Sequence, residues 1–401
     1  MKLEEKKLPN GWEVKKLGEV CIYSKGKMPK VLMEEKNEKC SVPYINIKAF
    51  ERGIFSEYTN GEKCNLCNDD DLLMVWDGAR CGLIGKAKKG AVGSTLMKIL
   101  PKEIIHKEFL YYFISSKFRI LNTKPRGVGI PHIEPSLLWN FELSLPPLPE
   151  QQKIVAKIEE LFSELENGKK ELLIAQAKLK TYRQSLLEWA FEGRLTNKNL
   201  KANELPKGWE VKKLGDVAKN KSKKITPADY PDAKFIGMDC IEPNTLRPKF
   251  IYRFGDFKSA GNYFEMGQVL YGRMRPYLNK VYKAEYEGAC SGEFIVLQCT
   301  EKFYPNLLSY ILHSKNFVNY ANHKTNGDRP RISYEEIADY PIFLATFPEQ
   351  QKIVAILESK LTICDEIEET IKTSIKQGEA LLQSILKKAF LGTLINKKNV
   401  T

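Results

Sequence analysis

Two stretches of the chain carry apolar residues at alternating four- and three-residue spacing. Ile154, Ile158, Leu161, Leu165, Leu172, Ala175, Leu179, Tyr182, Leu186 and Trp189 form the first series, interrupted only at Gly168. Ile353, Leu357, Cys364, Ile367, Ile371, Leu381 and Ile385 form the second, with Lys360, Ser374, Gly378 and Lys388 on the remaining positions. A stripe on this repeat runs down one side of a helix and needs a partner helix to cover it. Each series follows a proline, Pro149 or Pro348, a residue tolerated in a first helical turn because its missing N–H has no intrahelical partner there. The spacing predicts two long helices, over 149–195 and 348–392. They are expected to pair with each other antiparallel, because a whole globular segment lies between them in the chain. Roughly 40 residues at about 1.5 Å each make a rod of about 60 Å. Ordinary packing of each helix on its own domain is the simpler alternative, but a seam over five heptads outruns a typical globular helix.

Elsewhere the pattern changes to short apolar, β-rich runs broken by Gly, Asp and Asn. In residues 1–148 these are Val42 to Ile47, Leu72 to Trp76 and Thr95 to Leu100, followed by a helical segment carrying Phe109, Tyr112 and Phe113. Residues 205–347 repeat the plan, with strands expected at Phe235 to Met238, Val269 to Tyr271 and Glu293 to Gln298, then a helix over Leu307 to Leu312. The polar tract 196–204 reads as a linker and 393–401 as a tail. The fold class expected is mixed α/β (α+β): two pseudo-symmetric globular domains separated by two long antiparallel helices that form a coiled-coil spacer.

The pseudo-symmetry is written in the residues. Leu8-Pro9-Asn10-Gly11-Trp12-Glu13-Val14-Lys15-Lys16-Leu17-Gly18-Glu19-Val20 returns at Leu205 to Val217 with only Asn10/Lys207 and Glu19/Asp216 changed. Pro149 to Ala156 (PEQQKIVA) returns unchanged at Pro348 to Ala355, and Ala190-Phe191-x-Gly193-x-Leu195 returns as Ala389-Phe390-x-Gly392-x-Leu394. Between these islands the halves diverge, so one frame carries two dissimilar inserts. Both sets of islands, in this order, resemble the specificity subunits of type I restriction-modification systems. The resemblance spans the chain. It implies two target-recognition domains, each reading one half of a split asymmetric site in double-stranded DNA, with the helices as spacer and as docking platform for two methyltransferase subunits. It also implies that this subunit is not an enzyme and holds no cofactor. S-adenosylmethionine, ATP and Mg²⁺ are expected on partners, namely the methyltransferase subunits and the restriction or motor subunits.

Charge fits a polyanionic partner. The net charge is +13, shared as +7 in residues 1–198 and +6 in 199–401 instead of being gathered in a tail. A nucleic acid touched by both halves is the simplest partner, with a solvated Lys/Glu surface as the bland alternative. The start Met-Lys-Leu-Glu-Glu-Lys-Lys lacks an apolar export core, no run of 18 apolar residues exists, and the nine cysteines are scattered. A reducing cytoplasm and no membrane partner are expected.

The chain lacks the motifs of a catalyst. No glycine-rich loop for S-adenosylmethionine, no Asn/Asp-Pro-Pro-aromatic pocket for a flipped base and no Gly-x-x-x-x-Gly-Lys-Ser/Thr loop is present. Asp69-Asp70-Asp71 reads as a turn before a strand, since consecutive side chains point in different directions. Cys64-Asn65-Leu66-Cys67 supplies half of a zinc site and no second half follows, so no metal is expected. A stand-alone DNA-modifying enzyme with unrecognised motifs, and a coiled-coil scaffold binding only proteins, remain the competing classes.

DNA affinity comes from Lys and Arg on phosphates, and specificity from a few side chains at base edges. Candidates in the first domain are Lys25 and Lys27, Arg80, Lys86 and Lys88 on glycine-punctuated turns, and Lys124, Arg126 and His132 in the loop Lys124 to His132. In the second they are Lys221, Lys223 and Lys224, then Arg273, Arg275, Tyr277 and Lys280, and lastly Lys324, Arg329 and Arg331. Loop arginines can take the O6 and N7 of guanine together. For each residue alone, a solvated surface role is the alternative.

Overall fold

The computed structural model describes residues 9–123, 131–197, 199–200 and 204–395. It divides into two compact units: residues up to Leu172 with those from Thr373 onward, and Leu173–Lys372.

In the first unit, β1 (Glu13–Lys16) pairs antiparallel with β10 (Glu142–Leu145). A four-stranded sheet has the order β2-β9-β6-β7, with β2 Cys21–Lys25, β6 Leu72–Val75, β7 Ile84–Lys86 and β9 Leu96–Pro101. A second has the order β4-β3-β8-β5, with β3 Val42–Ile45, β4 Tyr58–Thr59, β5 Leu66–Cys67 and β8 Gly90–Val92. β6 is buried along its whole length, which is why its sequence reads as a continuous apolar run and not as an alternation. The aspartate run does form the turn before β6, with Asp70 at φ +64°. The helix Lys107–Thr123 lays Phe109, Leu110, Phe113 and Ile114 into the main core.

The second unit repeats this. β11 (Glu210–Lys213) pairs with β21 (Pro341–Leu344), and one sheet runs β12-β20-β17-β18, with β12 Ala218–Asn220, β17 Val269–Gly272, β18 Val281–Lys283 and β20 Phe294–Cys299. The other runs β13-β16-β19-β14-β15, with β13 Lys223–Ile225, β14 Lys234–Ile236, β15 Tyr252–Arg253, β16 Gly261–Phe264 and β19 Gly288–Cys290. The helix Pro305–His313 takes the place of Lys107–Thr123.

The long helices span Leu148–Phe191 and Phe347–Phe390, 44 residues each. Each unit holds one end of both, side by side and antiparallel. In the first unit, Ile154, Val155 and Ile158 share a core with Ile385, Leu386, Ala389 and Phe390, and further along Lys169 meets Glu379 at 3.3 Å. In the second unit, Leu186 and Ala190 share a core with Ile353, Leu357 and Cys364, and Arg183 meets Asp365 at 2.6 Å and Glu368 at 3.3 Å.

The apolar seam departs from strict heptad spacing. Ala175, Tyr182 and Trp189 point outward, the last two 40% and 42% exposed, while Arg183 and Ala190 turn inward. In the second helix Ile367 and Leu381 are likewise outside, with Glu368 and Leu382 half-buried. The face has moved on by one residue in both helices. A straight helix has 3.6 residues per turn and drifts about 20° per heptad from a 3.5 repeat, so a buried stripe must skip.

The repeated islands meet at one joint in each unit. The first glutamine of PEQQKIVA is fully buried: Gln350 accepts from the Tyr304 N–H (2.8 Å) and donates to the carbonyls of Lys302 (2.9 Å) and Ala345 (2.8 Å). Gln151 makes the same three bonds with His106, Ile104 and Pro146. Glu349 accepts from Trp209 Nε1 (3.0 Å), Thr196 Oγ1 (3.0 Å) and Asn197 Nδ2 (3.2 Å). Gly193, at φ +76°, lies where a Cβ would come within 2.5 Å of Pro206. The Ala-Phe-x-Gly end of the first helix therefore docks on the Leu-Pro-x-Gly-Trp opening of the second unit. Correspondingly, Gly392 at φ +70° sits against Pro9 and Trp12.

Candidate nucleic-acid interface

Both units build the same backbone ledge where the chain leaving β6 or β17 meets the segment leading to the last short helix, Pro135–Trp139 or Tyr334–Ala338. In the second unit, Arg275 N donates to Pro330 O at 2.8 Å, Ile332 N to Arg273 O at 3.1 Å, and Met274 bridges Arg331. In the first, Gly78 N donates to Pro131 O at 2.8 Å, Ile133 N to Trp76 O at 3.1 Å, and Asp77 bridges His132. Trp76-Asp77-Gly78 thus corresponds to Arg273-Met274-Arg275, and His132 to Arg331.

The side chains on this common backbone differ. On the second ledge, Arg331 is held bidentately by Glu293, with contacts of 2.9 to 3.1 Å. Arg273 and Arg275 are half-buried, each with a buried Nε lacking a partner, and among the described residues no carboxylate lies within 4.0 Å of either guanidinium. Tyr277 is 49% exposed on the turn that follows. Lys280 donates to Met238 O at 2.6 Å, and burial lowers its pKa, so it ties the loop to the end of β14. Lys221 N bonds Val296 O, which places it across β20 from β17 and level with Leu270 instead of Arg273. Lys223 and Lys224 are exposed on the edge strand β13. Lys324 lies over the Tyr320 ring at 5.5 Å, and Arg329 is exposed beside the ledge.

On the first ledge one carboxylate gathers two neighbouring side chains. Asp77 meets His132 Nδ1 at 2.6 Å and Lys25 Nζ at 2.9 Å. With Nδ1 turned to Asp77, the other ring nitrogen of His132 is left for a ligand. Beside Lys25 on the same strand face, Tyr23 stacks on Trp139 at 3.8 Å between centroids. Arg80 pairs with Glu51 (2.9 Å) and Lys86 with Glu108 (3.1 Å). Lys27 and Lys88 are exposed. Lys124 and Arg126 lie outside the described residues. The structure thus gathers Lys25 and His132 in one unit and Arg273, Arg275, Tyr277 and Arg331 in the other. Arg80 and Lys86 stand apart, each engaged by a carboxylate.

Sequence reasoning missed Asp77, Glu293 and Asn279. Single acids and amides carry no spacing signal. The correspondence of Pro131-His132-Ile133 with Pro330-Arg331-Ile332, at the 199-residue offset of the frame, is the one clue that pointed there. Among the described residues no three His, Cys, Asp or Glu side chains gather as a metal site, and no helix is long and apolar enough to cross a membrane. Cys67 is buried, its thiol pushed up to about 11 by burial.

Comparison with known proteins follows the same division. The model of the type I restriction modification DNA specificity domain matches twice, over residues 9–174 and 206–377. The MjaVIII specificity subunit of a type I restriction enzyme from Methanocaldococcus jannaschii is 34% identical, over 95% of this chain and 93% of its own length. The EcoDI specificity subunit from Escherichia coli is 26% identical, over 97% and 90%. Among solved structures, the HsdS subunit from Thermoanaerobacter tengcongensis shares the fold, with a TM-score of 0.65 at 21% identity, covering 97% of this chain and 99% of that one.

Proposed function

The chain belongs to the type I restriction modification DNA specificity family, and from that premise we propose that it is the sequence reader of a multisubunit modification enzyme. The observation that carries this reading is the pair of ledges: one backbone, bonded alike in both units, presenting Asp77, Gly78 and His132 in one and Met274, Arg275 and Arg331 in the other. A shared platform with dissimilar side chains suits two half-sites of different sequence. Each unit reads one half of a split asymmetric site in double-stranded DNA, and the helices set the distance between halves. At about 1.5 Å per residue, 44 residues span about 66 Å, close to two turns of B-DNA at about 34–36 Å each.

The outward apolar residues of the helices, Leu173, Ile174, Tyr182 and Trp189 on the first and Ile363, Ile367 and Leu381 on the second, suit docking of two methyltransferase subunits. Methyl transfer, with S-adenosylmethionine, belongs to those partners, and ATP- and Mg²⁺-dependent work to restriction or motor subunits. This chain holds no cofactor and is not itself catalytic.

Two results test this. Replacing Lys221, Lys223 and Lys224 together with Ala is expected to weaken binding of the assembled complex to all duplexes alike. It should also flatten the plot of log affinity against log salt by about 2 to 3, since each phosphate contact contributes about 0.9 to that slope. Anisotropy titrations at several salt concentrations read both quantities, and salt-independent binding by the unaltered complex would favour a protein scaffold instead. Adding four residues to each long helix, about 6 Å, is expected to widen the gap between half-sites by about two base pairs, at about 3.4 Å each. An unchanged gap in DNA selected from a random pool would reject the spacer role.

A further inference from the structure

The turn after β17 is bounded by two residues with left-handed backbone, Arg275 at φ +53° and Asn279 at φ +48°. Asparagine adopts this conformation readily because its short polar side chain bonds locally, whereas a long unbranched side chain has no such compensation. Gly78, at φ +115°, occupies the corresponding place on the first ledge. A glycine there would satisfy the backbone with no strain, so the arginine is present for what its side chain does.

Its surroundings show what that is. Arg275 N–H is fixed to Pro330 O, and its own carbonyl accepts from Leu278 N at 2.8 Å. Asn279 N closes the turn on Pro276 O at 2.9 Å, and the buried Asn279 side chain donates to His313 O at 2.9 Å. The neighbouring carboxylate, Glu293, is taken by Arg331. Arg275 is therefore a half-buried, backbone-locked cation with no acid partner among the described residues, at the rim of a basic ledge. A guanidinium that is partly desolvated and unpaired gains most from an acceptor that takes two of its N–H groups at once. Among bases read from the major groove, guanine alone offers two acceptors, O6 and N7, on one edge.

We propose that Arg275 is a specificity-determining residue of the second unit, reading a guanine through O6 and N7, and that Asn279 is its positioning residue. The inference rests on the chain being a DNA reader.

The test is selection of duplexes from a random pool by the complex of the full chain with its methyltransferase subunits, using wild type, Arg275→Gly, Arg275→Lys and Asn279→Gly. Arg275→Gly is expected to erase preference for one guanine in one half-site, a loss of roughly 5- to 150-fold in discrimination. The other half-site should stay intact and the thermal unfolding temperature should not fall, because glycine suits the backbone. Arg275→Lys should lose most of the same preference, having no fork to match two acceptors. Asn279→Gly, which keeps the backbone but frees the turn, should blunt discrimination at the same position by a smaller factor. Placing 7-deazaguanine at that position should weaken wild type and leave Arg275→Gly unaffected. If Arg275→Gly selects the same two blocks, or weakens all duplexes equally as a phosphate contact would, the inference is overturned while the reader stands. If wild type selects no sequence, the reader and the inference fall together.

Discussion

Gln350→Ala is expected to destabilise the second unit by about 3–5 kcal/mol. The amide is fully buried and its three bonds join the start of the second long helix to the segment entering Pro305–His313. Truncation strands one N–H and two carbonyls, and each buried group left unpaired costs about 1–3 kcal/mol, partly relieved if water enters the space. Gln151→Ala should do the same to the first unit, where His106, Ile104 and Pro146 supply equivalent partners. Denaturant titration of the full chain measures both. A loss below about 1 kcal/mol would mean the joint is not held by these amides.

Phe390→Ala should cost the first unit about 3–5 kcal/mol, the usual range for emptying a buried aromatic site. Phe390 is 8% exposed and meets Phe109 and Phe113 edge-on at 5.2 and 5.3 Å. It lies at the C-terminal end of the second long helix, yet its partners belong to a helix of the first unit. Hydrogen exchange should therefore quicken in Lys107–Thr123 and its sheet, while protection over the second unit's strands is kept. Exchange that quickened only in the second unit would refute this placement. Phe191, the repeat's counterpart, is only partly buried against the second core, so its truncation should cost less.

Much of the frame was legible because duplication and hydrophobic period both speak for it. The strands around Leu72–Val75, Val269–Gly272 and Phe294–Cys299, both long helices and their antiparallel pairing are where the apolar pattern put them. The register of the helix faces was not legible: a heptad template assigned Tyr182 and Trp189 to the seam, whereas helix drift turned Arg183 and Ala190 inward. Nor could spacing show that Ala190-Phe191-x-Gly193 closes on Trp209 and its counterpart on Trp12, since partner choice is a property of the folded joint.

The ledge was half-visible. Arg273, Arg275 and Arg331 stand out as cations, and His132 as a polar ring, on Gly/Pro loops. That Glu293 and Asp77 would claim Arg331, His132 and Lys25 required coordinates, because a lone carboxylate has no period and no motif. The exchange of Gly78 for Arg275 carries meaning because the two backbones are bonded alike, a relation no spacing in the sequence expresses.

We propose that two dissimilar reading heads on one chain read two DNA half-sites a fixed distance apart. Mapping the bases methylated on genomic DNA in cells that express this chain with the proposed methyltransferase subunits tests it. Two short, unlike sequence blocks separated by a constant number of unspecified base pairs are the predicted result. One contiguous block, two identical blocks or a variable gap would contradict it.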